Sequence, residues 1–233
     1  MNDGAIRDIS LQRASTAEVV AETLVRLIVT RVLKSGEPLR ESSLARDLGI
    51  SRNSLREGIR LLEQSRLVEY QMHRGAIVST PNVENLNDLY ITRLHIESLA
   101  AQQKPTAENL AAIDKAFAAL EESAKTQESD KIIHADLALH QTIVDILGSE
   151  RISDFYRQIS KELIFYFTVI SYADNEFLNP DDFILARHKA LRDALHSGDS
   201  DKATQLVRDH IIENWERIKE ILSTQEEAEG VGA

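Results

Sequence analysis

Asp136 and His140 stand one helical turn apart in HADLALHQTIVDIL, a stretch whose apolar residues return every three or four positions and so define one buried helix face. Both polar residues fall on that face. The same anomaly occurs twice more: His188 lies among Ile184, Leu191 and Leu195, and His210 among Ala203, Leu206, Ile211 and Ile218. A lone histidine on such a stripe is ordinarily a satisfied core residue. Isolated polar or ionisable groups are costly to bury without a partner, so four of them on three helices ask for a shared reason. A divalent metal supplies one: Asp136 and His140 at i,i+4 project side by side, and His188 and His210 can converge from neighbouring helices. Three imidazoles and a carboxylate suit Zn²⁺, Ni²⁺ or Mn²⁺, and ligand type alone does not choose among them. His134 and His95 fall off the apolar centres of their helices and His196 lies near a helix end; these read as ordinary surface histidines.

A fifth polar group is aimed inward. Arg93 lies on the apolar stripe of its helix between Leu86 and Ala100. Its guanidinium stays charged and its fork fits a carboxylate. Glu97, at i+4, can satisfy it structurally; alternatively Arg93 and the metal together hold a small organic acid, with Asn214, one turn beyond His210, as a further contact.

The elements that must place these residues are helices. The chain has 233 residues, four prolines, nine glycines and no cysteine. Disulfides, thiolate metal sites and cysteine nucleophiles are therefore excluded. The opening MNDGAIRDISLQRAST has no apolar signal core, and LIFYFTVISYA is about half the length of a membrane span; a cytoplasmic protein without membrane partners is expected. Net charge is −11, unevenly spread: residues 1–80 hold 12 Lys+Arg against 10 Asp+Glu, and residues 81–233 hold 15 against 28. Eleven of the 12 basic residues in the first part are Arg, the side chain suited to phosphate and guanine.

Four segments follow. Residues 1–15 read as a flexible N-terminus and 16–80 as a winged helix-turn-helix DNA-binding domain. Residues 81–223 read as a helical effector, metal-binding and dimerisation domain of six helices, and 224–233 as an acidic disordered tail. In the first domain helices are expected over about 16–34, 41–47 and 51–65, then a hairpin in LVEYQMHRGAIVST. In the second they are expected over about 83–103, 106–126, 129–147, 150–173, 181–197 and 199–222.

Three helices, a sharp turn at Gly49-Ile50 and a two-stranded wing make a DNA reader. The third helix crowds Arg52, Asn53, Ser54 and Arg56 into its N-terminal turns, where Arg can fork onto guanine or phosphate and Asn onto adenine. The wing tip offers His73 and Arg74, with Gly75 allowing close approach. Any one of these arginines could equally be solvated surface in an i,i+4 pair; the combination of turn, basic helix start and basic wing tip points to double-stranded operator DNA.

The run LKSGEPLRESSLARDLGISRNSLREGIRLLEQSRLVEYQMHRGAIV resembles the DNA-binding domain of GntR-family transcription regulators. The shared pieces are G-x-x-L-x-E-x-x-LA-x-x-LG-I-SR-x-x-x-RE, the L-x-x-x-x-LV leading into the wing, and the wing glycine. Asn53-Ser54 stand where that family often has Thr-Pro, and Gly58-Ile59 where it often has Ala-Leu. The resemblance implies DNA contacts at Arg52, Arg56, Arg74 and Gly75. The second half, with Arg93-x-x-x-Glu97, Asp136-x-x-x-His140, His188 and His210, resembles the FCD effector domain of the FadR-type branch, and six helices suggest its VanR-like subgroup. Leu139 replaces the Phe common before the first histidine.

The resemblances imply a mainly α protein: a winged helix-turn-helix followed by an all-α, six-helix FCD-type bundle. The expected function is a non-enzymatic homodimeric repressor whose operator affinity is modulated by a small carboxylate. A metal-dependent hydrolase is the rival from another class, since such a donor set can activate water, but no separate general base is recognisable and the DNA-reading half has no place in it. A regulator with a purely structural metal is the third alternative.

Overall fold

The structure is a computed structural model and describes residues 16–126, 128–174 and 184–230. The chain divides into two compact units after Ser79.

In the first unit, α1 (Thr16–Val29), α2 (Glu41–Asp47) and α3 (Arg52–Gln64) precede an antiparallel hairpin of β1 (Val68–Gln71) and β2 (Gly75–Val78). Val68 pairs with Val78 and Gln71 with Gly75. The segment before α2 adds an isolated bridge from Pro38 to Ile77, with Leu39 N–H donating to Ala76 C=O at 2.8 Å. Leu24, Leu55, Ile59, Leu62 and Ile77 form the core. Ser51 caps α3 by accepting from Ser54 N–H at 3.0 Å. Gly49, at φ +67°, makes the turn between α2 and α3 in a backbone region that other residues rarely enter. The first helix ends at Val29, short of the expected Lys34, and Arg31 takes φ 57° while Leu33 N–H donates to Leu27 C=O at 2.9 Å. The β-branched run Ile28-Val29-Thr30 weakens helix continuation there.

The second unit contains α4 (Val83–Ala101), α5 (Ala107–Ala124), α6 (Ser129–Val144), α7 (Glu150–Asp174), α8 (Ala186–Ser197) and α9 (Ser200–Gly230). A 3₁₀ turn, Asp145–Leu147, extends α6 to the end expected for it. Asn82 caps α4, and Thr106 with Asn109 makes a capping box on α5. Helix α4 packs along α9 and α5 along α6. Leu86, Ile113, Leu120, Ile132, Ile143, Leu163, Val207 and Ile211 are buried among them. The described residues thus give the expected winged helix-turn-helix and six-helix second unit.

One expectation is corrected. The acidic segment from 224 was expected to be disordered, yet α9 runs on to Gly230. Gln, Glu and Ala are strong helix formers and no glycine or proline intervenes before Gly230, so propensity carries the helix beyond its last apolar residue. Residues 231–233, the expected flexible segment 1–15 and positions 181–183 of the fifth bundle helix lie outside the described residues.

Candidate functional site

Helix α6 places Asp136 and His140, α8 places His188 and α9 places His210 around one point, with one ligand atom from each residue within 4.8 Å of all the others. His188 Nε2 lies 2.8 Å from Asp136 Oδ1, and His140 Nε2 lies 3.9 Å from Asp136 Oδ2. His140 Nε2 is 3.2 Å from both His188 Nε2 and His210 Nε2. The i,i+4 spacing expected from sequence does bring Asp136 and His140 to one side of α6.

The opposite ring edges fix the orientation of two imidazoles. His188 Nδ1 faces Ile184 C=O at 2.7 Å, so this nitrogen carries hydrogen and donates. His140 Nδ1 faces Glu97 Oε2 at 2.6 Å. Burial opposes ionisation of Glu97, but Arg93 and His140 hold its carboxyl down to about 2, so it is a charged acceptor and His140 Nδ1 donates. Both rings therefore turn an Nε2 lone pair toward the cluster in their neutral forms. Lone pairs 3.2 Å apart are mutually repulsive unless a proton or cation lies between them. Asp136, held down to about 2 against its burial chiefly by His188, adds an anionic oxygen. Burial lowers the pKa of His140; His210 lies well below its usual value through burial and the neighbouring His188 and His140. For His188 burial also disfavours charge, but Asp136 overrides it and raises the pKa. This donor set fits a divalent cation: three imidazole nitrogens, one carboxylate, and partners behind two of the rings, with the cation displacing the proton that Asp136 favours on His188. His210 Nδ1 is buried without a hydrogen-bond partner among the described residues.

Arg93 is 1% exposed and donates from Nε to Glu97 Oε1 at 2.6 Å. The structural partner expected at i+4 is present, but it satisfies only one edge of the guanidinium: Nη1 and Nη2 are both buried without a hydrogen-bond partner among the described residues. The Tyr90 and Phe167 rings lie 5.7 and 5.8 Å from Cζ. Asn214 Oδ1 accepts from the Tyr90 hydroxyl, which ties that residue to the ring beside Arg93. Trp215, the chain's single tryptophan, stacks on Tyr90 at 6.0 Å between centroids.

Sequence reasoning missed four of these partners, the first being Tyr90 beside Arg93. Glu97 was read only as a partner of Arg93, yet it also holds His140. Tyr156, fully buried, donates to Glu97 Oε1 at 2.5 Å, and Phe167 walls the guanidinium. Their helix, α7, shows only an apolar pattern; a buried Tyr hydroxyl needing an acceptor is the one available signal. The histidines set aside are peripheral: His95 and His134 are exposed, and His196 bonds Asp114 Oδ1 at 2.9 Å at the surface.

In the first unit Arg52 and Asn53 lie exposed on the opening turn of α3. Ser54 is engaged locally, its hydroxyl 2.8 Å from that of Ser51. Arg56 donates from Nε to Glu41 Oε2 at 2.6 Å, across to α2 rather than to an i,i+4 neighbour. At the wing tip Arg74 donates to Gln71 Oε1 at 2.9 Å, and His73 and Gly75 take φ 66° and 78°. Arg40 and Arg46, which the sequence reading did not single out, line one surface hollow with Arg52, Ser43 and Gly75.

A winged helix-turn-helix followed in the chain by a helical unit with a polar, ligand-type centre is the arrangement expected of a DNA-binding transcription regulator. Residues 16–78 match the family described as bacterial regulatory proteins, gntR family, and residues 88–213 match the FCD domain. The chain belongs to the GntR family and carries an FCD domain. It is 28% identical to the galactonate operon transcriptional repressor of Escherichia coli (strain K12), over 85% of this chain and 95% of that protein. It is 24% identical to the gluconate operon transcriptional repressor of Bacillus licheniformis, over 93% and 90%. Among solved structures, a putative GntR regulator from Rhodococcus sp. RHA1 superposes with a TM-score of 0.76 at 25% identity, covering 88% of this chain and 98% of that one. No helix among the described residues is long and apolar enough to cross a membrane.

Proposed function

We propose that this regulator is a cytoplasmic homodimeric repressor of the FadR branch and VanR-like subgroup, released from its operator by a small carboxylate bound beside a divalent metal. One observation carries the reading: a buried guanidinium with two unpartnered nitrogens in the same helical core as a three-histidine, one-aspartate cluster. Glu97 already balances the charge through Nε, but two buried guanidinium N–H edges are costly to leave unmet, and the planar fork selects a carboxylate. Asp136, His140, His188 and His210 would hold Zn²⁺, Ni²⁺ or Mn²⁺. When bound, the cation supplies Lewis-acid affinity for a carboxylate or hydroxyl oxygen of the same ligand. Arg93 orients the acid, Tyr90 and Phe167 bound it laterally, and Asn214 reads it through or beside the Tyr90 hydroxyl. The two relatives named for sugar-acid operons, gluconate and galactonate, support a sugar acid or hydroxy acid as the ligand class.

On DNA, Arg52, Asn53, Ser54 and Arg56 enter the major groove and His73, Arg74 and Gly75 meet the backbone or minor groove. Two copies read a near-palindromic site, one half-site each. The acid shifts the operator equilibrium only through its differential affinity for the two states.

Metal analysis of protein purified without an affinity histidine tag tests the centre: the wild type retains a divalent ion, and His140→Ala loses it. Equal metal content in the two sinks the site. The effector class is tested by melting and operator binding of the metal-loaded chain across a panel of sugar acids and hydroxy acids, with and without chelator. A matching acid raises Tm only when metal is present and weakens operator binding; operator binding unchanged across the panel ends the induction reading.

A further inference from the structure

Glu97 joins the two parts of the bundle's polar centre. Its carboxylate is fully buried and spends each oxygen differently. Oε1 accepts from Arg93 Nε at 2.6 Å and from the Tyr156 hydroxyl at 2.5 Å, while Oε2 accepts from His140 Nδ1 at 2.6 Å. One negative charge is thus divided between a guanidinium whose two Nη atoms are unpartnered and an imidazole whose Nε2 faces the histidine cluster.

We infer that Glu97 couples the two halves of the site, so that a carboxylate on Arg93 and a cation on Asp136, His140, His188 and His210 each raise the affinity for the other. This rests on the reading of the site given above. Hydrogen bonds converging on one carboxylate compete for its charge, and they do so strongly where the surroundings are apolar. When an anion occupies the Nη fork it shares the guanidinium's positive charge, and the pull of Arg93 on Oε1 weakens. More charge is then left for the bond from His140 Nδ1–H, which makes Nε2 a stronger donor to a cation, as carboxylate–imidazole pairs do generally. By linkage the cation strengthens carboxylate binding by the same factor. Tyr156 anchors Oε1 from α7 and keeps the carboxylate from rotating away. Glu97 is a positioning residue here, touching neither ligand.

The test is a Zn²⁺ titration of the full chain, stripped of metal, against a chromophoric chelator with and without sodium acetate. Acetate is small enough for the fork and a weak chelator. In the wild type, saturating acetate tightens Zn²⁺ binding by about 5-fold or more. Glu97→Gln keeps the shape and an acceptor oxygen but removes the charge. In it Zn²⁺ binding without acetate weakens by about 10-fold or more, and the acetate effect falls to the smaller part that direct contact of acetate with the cation supplies. An acetate effect of equal size in both proteins overturns the inference, because acetate would then act on the cation directly. Zn²⁺ binding by the wild type with no response to acetate overturns it too, leaving the site reading intact; no Zn²⁺ binding at all sinks both. If Glu97→Gln does not fold, imidazole ¹⁵N–¹H spectra of Zn²⁺-loaded wild type decide: acetate moves the His140 Nδ1–H proton downfield, and an unmoved resonance overturns the coupling.

Discussion

The two units hold their candidate functional side chains in opposite conditions. In the winged unit Arg52, Asn53 and Arg74 lie in water, and Arg56 keeps a half-exposed ion pair with Glu41. In the helical unit Arg93, Glu97, His140 and His188 are 0–1% exposed and linked to one another. A surface that will meet a polyanion can leave its charges solvated until contact, because affinity comes largely from displacing counterions then. A site for a small ligand has to be assembled beforehand, within a core that makes each unmet polar atom costly. The free chain therefore displays the chemistry of the proposed small-ligand site and conceals that of the proposed DNA surface.

The largest expected contrast is acid sensitivity. Glu97 is lowered from 4.5 to about 2 in the folded chain, against its burial, by Arg93 and then His140. A carboxyl depressed on folding stabilises the fold fully above its unfolded value and loses that contribution as pH falls through the folded value. For Glu97 the loss runs from about 4.5 down to about 2 and is on the order of 3 kcal/mol. Trp215, the chain's single tryptophan, stacks on Tyr90 in the helical unit and reports that unit alone. In chelator-treated protein, urea midpoints followed by tryptophan fluorescence should fall steeply between pH 5 and pH 3. A midpoint constant over that interval would mean that the buried network is not a charged one.

On the other side of the comparison, Arg52→Ala should weaken operator binding by about 1–3 kcal/mol if it forks onto a guanine, with little change in Tm because its side chain is exposed. Binding to non-operator duplex should change far less. A parallel loss on both DNAs would make Arg52 a phosphate contact and leave base reading to its neighbours.

Legibility in the sequence follows the same division. The helical periodicity and the breaks at Gly148, Gly198 and Pro105 placed the bundle helices within a few residues, since apolar stripes and breakers are local signals. Asp136, His140, His188 and His210 were legible because each interrupts such a stripe. Glu97 as a partner of His140, and Tyr156 beneath it, were not: these contacts join positions 43 and 59 residues apart and leave no local pattern. The helical course of residues 224–230 was missed because it rests on propensity, without the apolar stripe used to find the others. In the wing the turn residues were readable, whereas the Arg56–Glu41 pair, 15 residues apart, depends on how α2 meets α3.

The smallest expected effect concerns Gly58, which stands in the middle of α3 where the resemblance places Ala. A helix gains about 1 kcal/mol from Gly→Ala at an unconstrained site. Here a Cβ would sit 2.5 Å from Val20 Cγ1, 3.0 Å from its Cβ and 3.3 Å from Ala21 N. The last of these is backbone, so α1 itself has to shift, and overpacking of this kind costs about 1–3 kcal/mol. Gly58→Ala should therefore lower stability by about 1 kcal/mol net, the two terms opposing. In a Val20→Ala background the 2.5 Å obstacle is gone while the Cβ of residue 20 and Ala21 N remain, and the same substitution should cost less than it does in the wild type. Operator affinity of the folded protein should stay within about 2-fold, as Gly58 is buried against α1 and exposed base contacts carry recognition. If Gly58→Ala instead stabilised the wild type, the close approach of α1 to α3 would be wrong. If it changed the preferred operator sequence at constant stability, this glycine would belong with Arg52 and Asn53 as part of the DNA-reading surface.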